Sequence, residues 1–229
     1  MSGPKYPSTV APQGYYDGLA ERIRQNLLPG LQPFLSEAHN VLELGSGTGV
    51  HAALYVQDNS NLNSLQPTEA DEYLVGQCRQ NAQSSSEQAT GPTIRDPVVL
   101  DVLDEQNWVA LKDKTTHTDR YDLVLINNCL HMIPFPKGSA MIFKHLNDIT
   151  TSGAVFLASG PFKSDNDYFS ESDRQFDEMI KARPQANELG IGLRSIDALD
   201  RLAKEHDWTL TERRSIPKGN FVLVFKRNL

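Results

Sequence analysis

Cysteine is nearly absent. Cys78 and Cys129 are the only two thiols, too few for a disulfide framework or a four-ligand zinc site, and they suggest a reducing compartment. Long apolar runs are missing too: none approaches the ~20 residues needed to span a bilayer. The first sixteen residues contain no apolar stretch of the kind that drives secretion, so a cytoplasmic location is expected. Basic clusters are scarce. Twenty-two Lys and Arg stand against twenty-nine Asp and Glu, for a net charge of −7. That balance disfavours a phosphate backbone as partner. The densest basic pairs, Arg213-Arg214 and Lys226-Arg227, fall in expected C-terminal strands and read as solvated faces. No internal repeat is present. A length of 229 residues fits one α/β domain with its own core.

The chain does have a glycine-rich turn. Val41-Leu-Glu-Leu-Gly-Ser-Gly-Thr-Gly49 reads as a buried strand that ends in three alternating glycines, Gly45, Gly47 and Gly49, and opens a helix. Glycine admits positive φ and lets a ligand approach where a Cβ would clash. Such strand–turn–helix units bind nucleotide-like cofactors in open α/β sheets. A dinucleotide fingerprint needs a third glycine where Val50 stands, and a P-loop needs a lysine that the turn lacks. What remains resembles motif I of the S-adenosylmethionine (SAM) dependent methyltransferases. In that family the acid, here Glu43, and the turn hold the methionine part of SAM.

The rest of the chain alternates. A helix over 17–36, broken or kinked at Pro29 and Pro33, follows an arm rich in Pro, Ser and Tyr; residues 1–36 thus read as arm and cap, and 37–229 as the main domain. Strands are expected at 40–44, 61–66, 97–100, 121–126 and 153–159. Helices are expected at 49–57, 70–83, 138–149, 172–182 and 195–206, with 84–96 as a polar loop. The segments 208–215 and 220–227 flank Pro217-Lys-Gly-Asn220 and read as a hairpin. This order predicts a mostly parallel sheet with helices on both faces and a C-terminal antiparallel hairpin. It is the Rossmann-like seven-stranded arrangement of class I SAM methyltransferases.

Site residues follow from that frame. A ribose calls for an acid about 20 residues past the turn; Glu69 holds that place, with Asp71 and Glu72 as rivals or as an acidic first helical turn. Asp101 ends the third strand. In SAM enzymes an acid there accepts from the adenine amine and the next backbone N–H, here that of Val102, meets the ring. Trp108 could flank the adenine or simply pack. The fourth strand runs out through Asn127, Asn128, Cys129 and His131. Ligands sit outside the carboxyl ends of such strands, so His131 is the first candidate for a general base and Asn128 for orienting an acceptor. Cys129 reads as a small apolar residue, since no activating partner is evident. Phe162 and Lys163, after the Gly160-Pro161 turn, could line the acceptor side.

With these residues in view the chain resembles the domain of unknown function 938 family, which includes methyltransferase-like protein 26. The matching segments keep their order: Val41–Ala52, Leu65–Glu69, Leu100–Val102, Asn127–Pro134, Ser159–Lys163, Phe176–Arg183 and Ile216–Arg227. The family's Gln-His-Ala after the glycine turn is Val50-His51-Ala52 here, and its Gln-Pro-Ser-Asp is Gln66-Pro67-Thr68-Glu69. The resemblance implies SAM, leaving as S-adenosylhomocysteine (SAH), held by Glu43, Gly45, Ser46, Gly47, Gly49, His51, Glu69, Asp101, Val102 and Asn127, with no metal. It also implies a small-molecule acceptor, and a specialised biosynthetic role would suit a member that has drifted this far. The family's Arg-Asn-Lys segment ahead of the first helix is replaced by Tyr15-Tyr16-Asp17-Gly18, so a remodelled lid is expected, with Tyr15 and Tyr16 in it. The rival readings are a SAM-fold protein that rearranges or merely binds its ligand, and, more weakly, an NAD oxidoreductase, against which Val50 speaks.

Overall fold

The computed structural model describes residues 18–86, 91–165 and 167–228. The lid residues Tyr15 and Tyr16 lie outside them. Two short helices, α1 (Leu19–Asn26) and α2 (Leu28–Leu35), come first. Pro29 sits in the first turn of α2, where its missing N–H costs nothing, and Pro33 lies inside it. Alternation then begins: β1 (Asn40–Leu44), α3 (Val50–Asp58), β2 (Ser64–Glu69), α4 (Glu72–Ser86), β3 (Thr93–Ile94), β4 (Val98–Val99), α5 (Glu105–Asp113), β5 (Tyr121–Asn127), α6 (Lys137–Ile149) and β6 (Thr150–Gly160). The chain closes through α7 (Glu171–Lys181), α8 (Ala186–Leu189), α9 (Ile196–Lys204) and the hairpin β7 (Trp208–Ile216) and β8 (Asn220–Arg227).

The sheet runs β3-β2-β1-β5-β6-β8-β7, parallel except for β8, which lies antiparallel between β6 and β7. It has eight strands rather than the seven expected, because β3 and β4 share one edge position against β2. The cause is local. Between them β2 presents Gln66 and Pro67; Pro67 has no N–H to offer, and Gln66 Nε2 donates instead to Asp96 O at 2.9 Å. The outer ladder is therefore cut in two.

Apolar runs such as Leu123–Ile126 are buried on both faces. Leu123 and Leu125 join a cluster with Ile23, Leu31, Leu35, Val41, Tyr55 and Val222, so α1 and α2 pack into the same core as the sheet. Val124 and Ile126 face the other way, toward Trp108, Phe143, Phe156, Leu199 and Phe225. Phe143 and Phe156 meet edge to face at 5.6 Å, a geometry aromatic quadrupoles favour. Both clusters leave the carboxyl ends of β1, β2, β5 and β6 together at one edge of the sheet.

Candidate functional site

At that edge the glycine turn takes the conformation its residues allow. Gly45, Gly47 and Gly49 have φ of 69°, 55° and 81°, a region L side chains avoid. A Cβ at Gly45 would stand 2.7 Å from Cys129 Sγ, and one at Gly49 2.7 Å from Cys78 Sγ, whereas one at Gly47 would project into open space. The outer glycines are needed for packing; the middle one faces outward.

Beneath the turn lies Glu43, 1% exposed. Asn127 Nδ2 donates to its Oε1 at 3.2 Å and to Tyr55 OH, also at 3.2 Å, while Ser159 Oγ donates to Asn127 Oδ1 at 2.7 Å. Glu43 Oε2 is buried with no hydrogen-bond partner among the described residues. Burial lifts its carboxyl to about 7, with Ser46 and Asn127 opposing and Glu69 adding. His51 Nδ1 is 3.7 Å from Glu43 Oε1, but burial lowers the imidazole to about 4. It is neutral near pH 7 and does not neutralise the acid. An orphan carboxylate oxygen in a sealed site has lost its hydration without recovering a donor, at a cost of about 1–3 kcal/mol or more. A cationic or N–H-bearing ligand group is the complement that such an oxygen calls for.

Glu69 ends β2 and braces the turn. Its carboxylate accepts from Gly47 N at 2.9 Å, Ala70 N at 2.7 Å and Asp71 N at 3.3 Å. Ser46 is buried and its N–H donates to Thr68 O at 2.8 Å. Asp101 is buried just past β4; its Oδ1 accepts from Leu103 N, and its own N–H donates to Asn107 Oδ1, both at 2.9 Å. Val102 O accepts from Trp108 Nε1 at 3.0 Å. Trp108 is 2% exposed and stacks on His145 at 5.0 Å, so it packs the core and offers no face to a ligand. Phe162, also 2% exposed, is likewise a core side chain, which removes it from the acceptor wall. Lys163 is partly exposed, and its Nζ lies 5.5 Å from the centre of the Tyr168 ring.

Asn128 is exposed in a left-handed conformation, φ 49°, which Asn tolerates better than most residues. Its N–H donates to Ser159 O at 2.9 Å. His131 belongs to a short 3-10 turn, Leu130–Met132, and packs edge-on against Phe176 at 5.2 Å. Burial first, then Arg194 and Arg183, lower its ring to about 4. Imidazole in that range is neutral but a feeble proton acceptor. Burial lifts both thiols to about 12, so neither is a nucleophile at neutral pH.

Three residues that matter were not singled out from sequence. Tyr55, four residues after His51 on α3, completes the set around Asn127; only the shared helix face hinted at it. Arg194 and Asp177 tie together the segments that leave β5 and β6. Asp177 accepts from Tyr168 OH, Lys181 Nζ and Leu193 N, each at 2.6 Å.

A family model described as "Protein of unknown function (DUF938)" matches residues 15–227. The chain belongs to the DUF938 family. Solved structures share its fold at low identity. An O-methyltransferase family protein from Burkholderia thailandensis is 15% identical with a TM-score of 0.65, over 95% of this chain and 60% of that one. The S-adenosylmethionine-dependent methyltransferase SibL, in its apo form, gives 16% and 0.66 over 88% and 54%. A SAM-dependent methyltransferase from Methanosarcina mazei gives 17% and 0.62 over 89% and 99%. The DUF938 chain thus spans little more than half of the first two and nearly all of the third. It has the class I SAM methyltransferase fold. Among its described residues no helix is long and apolar enough to cross a membrane, and no cluster of three His, Cys, Asp or Glu side chains is placed to hold a metal.

Proposed function

We propose that this DUF938 protein is a SAM-dependent methyltransferase acting on a small molecule. The observation that carries the reading is the orphaned, buried Oε2 of Glu43 beneath a glycine turn whose middle residue faces open space. That cradle suits the cationic amino-acid end of SAM. On this reading Glu69, at the end of β2, and Asp101, just past β4, are the acids for the ribose hydroxyls and the adenine amine. Bound SAM supplies an electrophilic methyl group on a sulfonium.

What remains for the protein is to orient the acceptor and exclude water. Asn127 fixes the Glu43 carboxylate. Asn128, held left-handed beside Gly160, presents its amide at the mouth. His131 is unprotonated at neutral pH, and its low basicity suits an acceptor that needs little help in losing a proton. The acidic surface supports a small acceptor over a nucleic acid.

Calorimetric titration with SAM and SAH, on the wild type and on Glu43→Gln and Glu69→Ala, tests the reading. Micromolar binding that falls at least about ten-fold in both variants is expected. Absence of binding to either ligand would overturn it.

A further inference from the structure

Beyond the end of β6 lies a cleft of about 340 Å³ that the cofactor reading does not use, bordered by Phe135, Lys163, Lys181, Arg194 and Ser195. Its ionisable walls are all cationic, on a chain of net charge −7. Their acidic partners do not balance them. Lys181 is paired with the buried Asp177 at 2.6 Å. Arg194 is buried and donates only to carbonyls: Leu130 O at 3.3 Å, Gly190 O at 2.6 Å, His131 O at 3.4 Å, and Ile133 O. Carbonyls satisfy its N–H groups without cancelling its charge, and Asp177, already paired, is the acid that acts on it. Lys163 Nζ has no carboxylate within ion-pair distance among the described residues. Asp165 nearby is held by Arg201 at 2.9 Å and by Ser195 Oγ. Lys163, Lys181 and Arg194 thus face the paired Asp177 and an Asp165 that is shared with Arg201, and low-dielectric walls focus the field of the cationic excess.

The cleft also adjoins the reaction edge. Arg194's carbonyl partners include Leu130, His131 and Ile133, on the segment leaving β5, and Lys163 follows β6 by three residues, with its N–H donating to Arg194 O at 2.9 Å. We propose that this cleft binds a small-molecule oxyanion, a carboxylate or phosphate carried by the methyl acceptor, with Lys163 as its counter-ion and Arg194 as fixed charge behind it. The role as an acceptor subsite rests on the methyltransferase reading; the binding itself does not.

The test is an amide-resolved NMR titration of the full chain with inorganic phosphate and, separately, acetate, with ionic strength held constant by chloride. The expected result is saturable shifts at Gly190, Gly192 and Ser195. These should weaken about ten-fold in Lys163→Gln, the loss of one charge-assisted contact, and recover in Lys163→Arg. A stronger response to phosphate marks a phosphorylated acceptor, and a stronger response to acetate a carboxylate. Shifts that never saturate, or that are equal in wild type and Lys163→Gln, overturn the proposal. Wild-type SAH calorimetry separates the two readings: anion binding without SAH binding removes the methyltransferase and keeps the cleft, and the reverse removes the cleft alone.

Discussion

Glu43 has two duties that pull in opposite directions. Its carboxyl, raised to about 7 by burial, favours the neutral form when folded. The stability it contributes is complete below its unfolded pKa near 4.5 and is lost as pH rises through about 7. Glu43→Gln keeps the shape without the charge. Urea denaturation should find the variant more stable than wild type at pH 8, by up to roughly 3 kcal/mol, and little different at pH 4.5. Calorimetry should find the same variant poorer at holding SAH. A variant that loses both stability and binding would mean that the carboxylate is a structural anchor. His131 makes a second prediction. With its ring lowered to about 4, it is fully unprotonated well below neutrality. A pH profile of kcat/KM should show no rising limb between pH 6 and 8 from this residue, even if His131→Ala slows the reaction; a limb near 6.5 that vanishes in His131→Ala would contradict the burial argument.

Among elements, the glycine turn carries the sharpest contrast. Gly45→Ala drives a methyl into Cys129 Sγ, whereas Gly47→Ala meets open space and bears only the left-handed strain. Thermal denaturation should show Gly45→Ala as the more damaging change, with Gly47→Ala costing about 1–2 kcal/mol. SAH calorimetry should nonetheless show a clear loss for Gly47→Ala, because the methyl occupies ligand space. This turn was legible in the sequence, since alternating glycines after a buried strand have few other uses, and the order of the large strands and helices was legible from periodicity. Other parts were not. Strand β2 was read three residues early; Pro67 sits inside the strand, at the gap in the outer ladder. Helix α5 was missed although Asp104 caps it, accepting from Gln106 N at 2.9 Å; one amphipathic turn around Trp108 is too short a signal beside a strand end. Arg194 and Asp177 were not singled out, because only the fold brings residues 130–133, 177 and 190–194 together.

For the molecule as a whole, a ligand that binds only the folded state stabilises by mass action. SAH at a hundred times its Kd should add about 2.7 kcal/mol, a rise in Tm of about 5–11 °C for a chain of this size. Unchanged melting at saturating SAH would contradict binding to the folded state. The placement of the two cysteines gives that equilibrium a second readout. Both Sγ atoms of the chain press on the glycine turn, one beside Gly45 and one beside Gly49. Cys129 is partly exposed and Cys78 is buried, so a thiol reagent reaches Cys78 only when the turn above it lifts away. Alkylation kinetics at Cys78 become a clock for breathing at the ligand edge: a guest seated on the turn slows the clock, and its dissociation lets it run again.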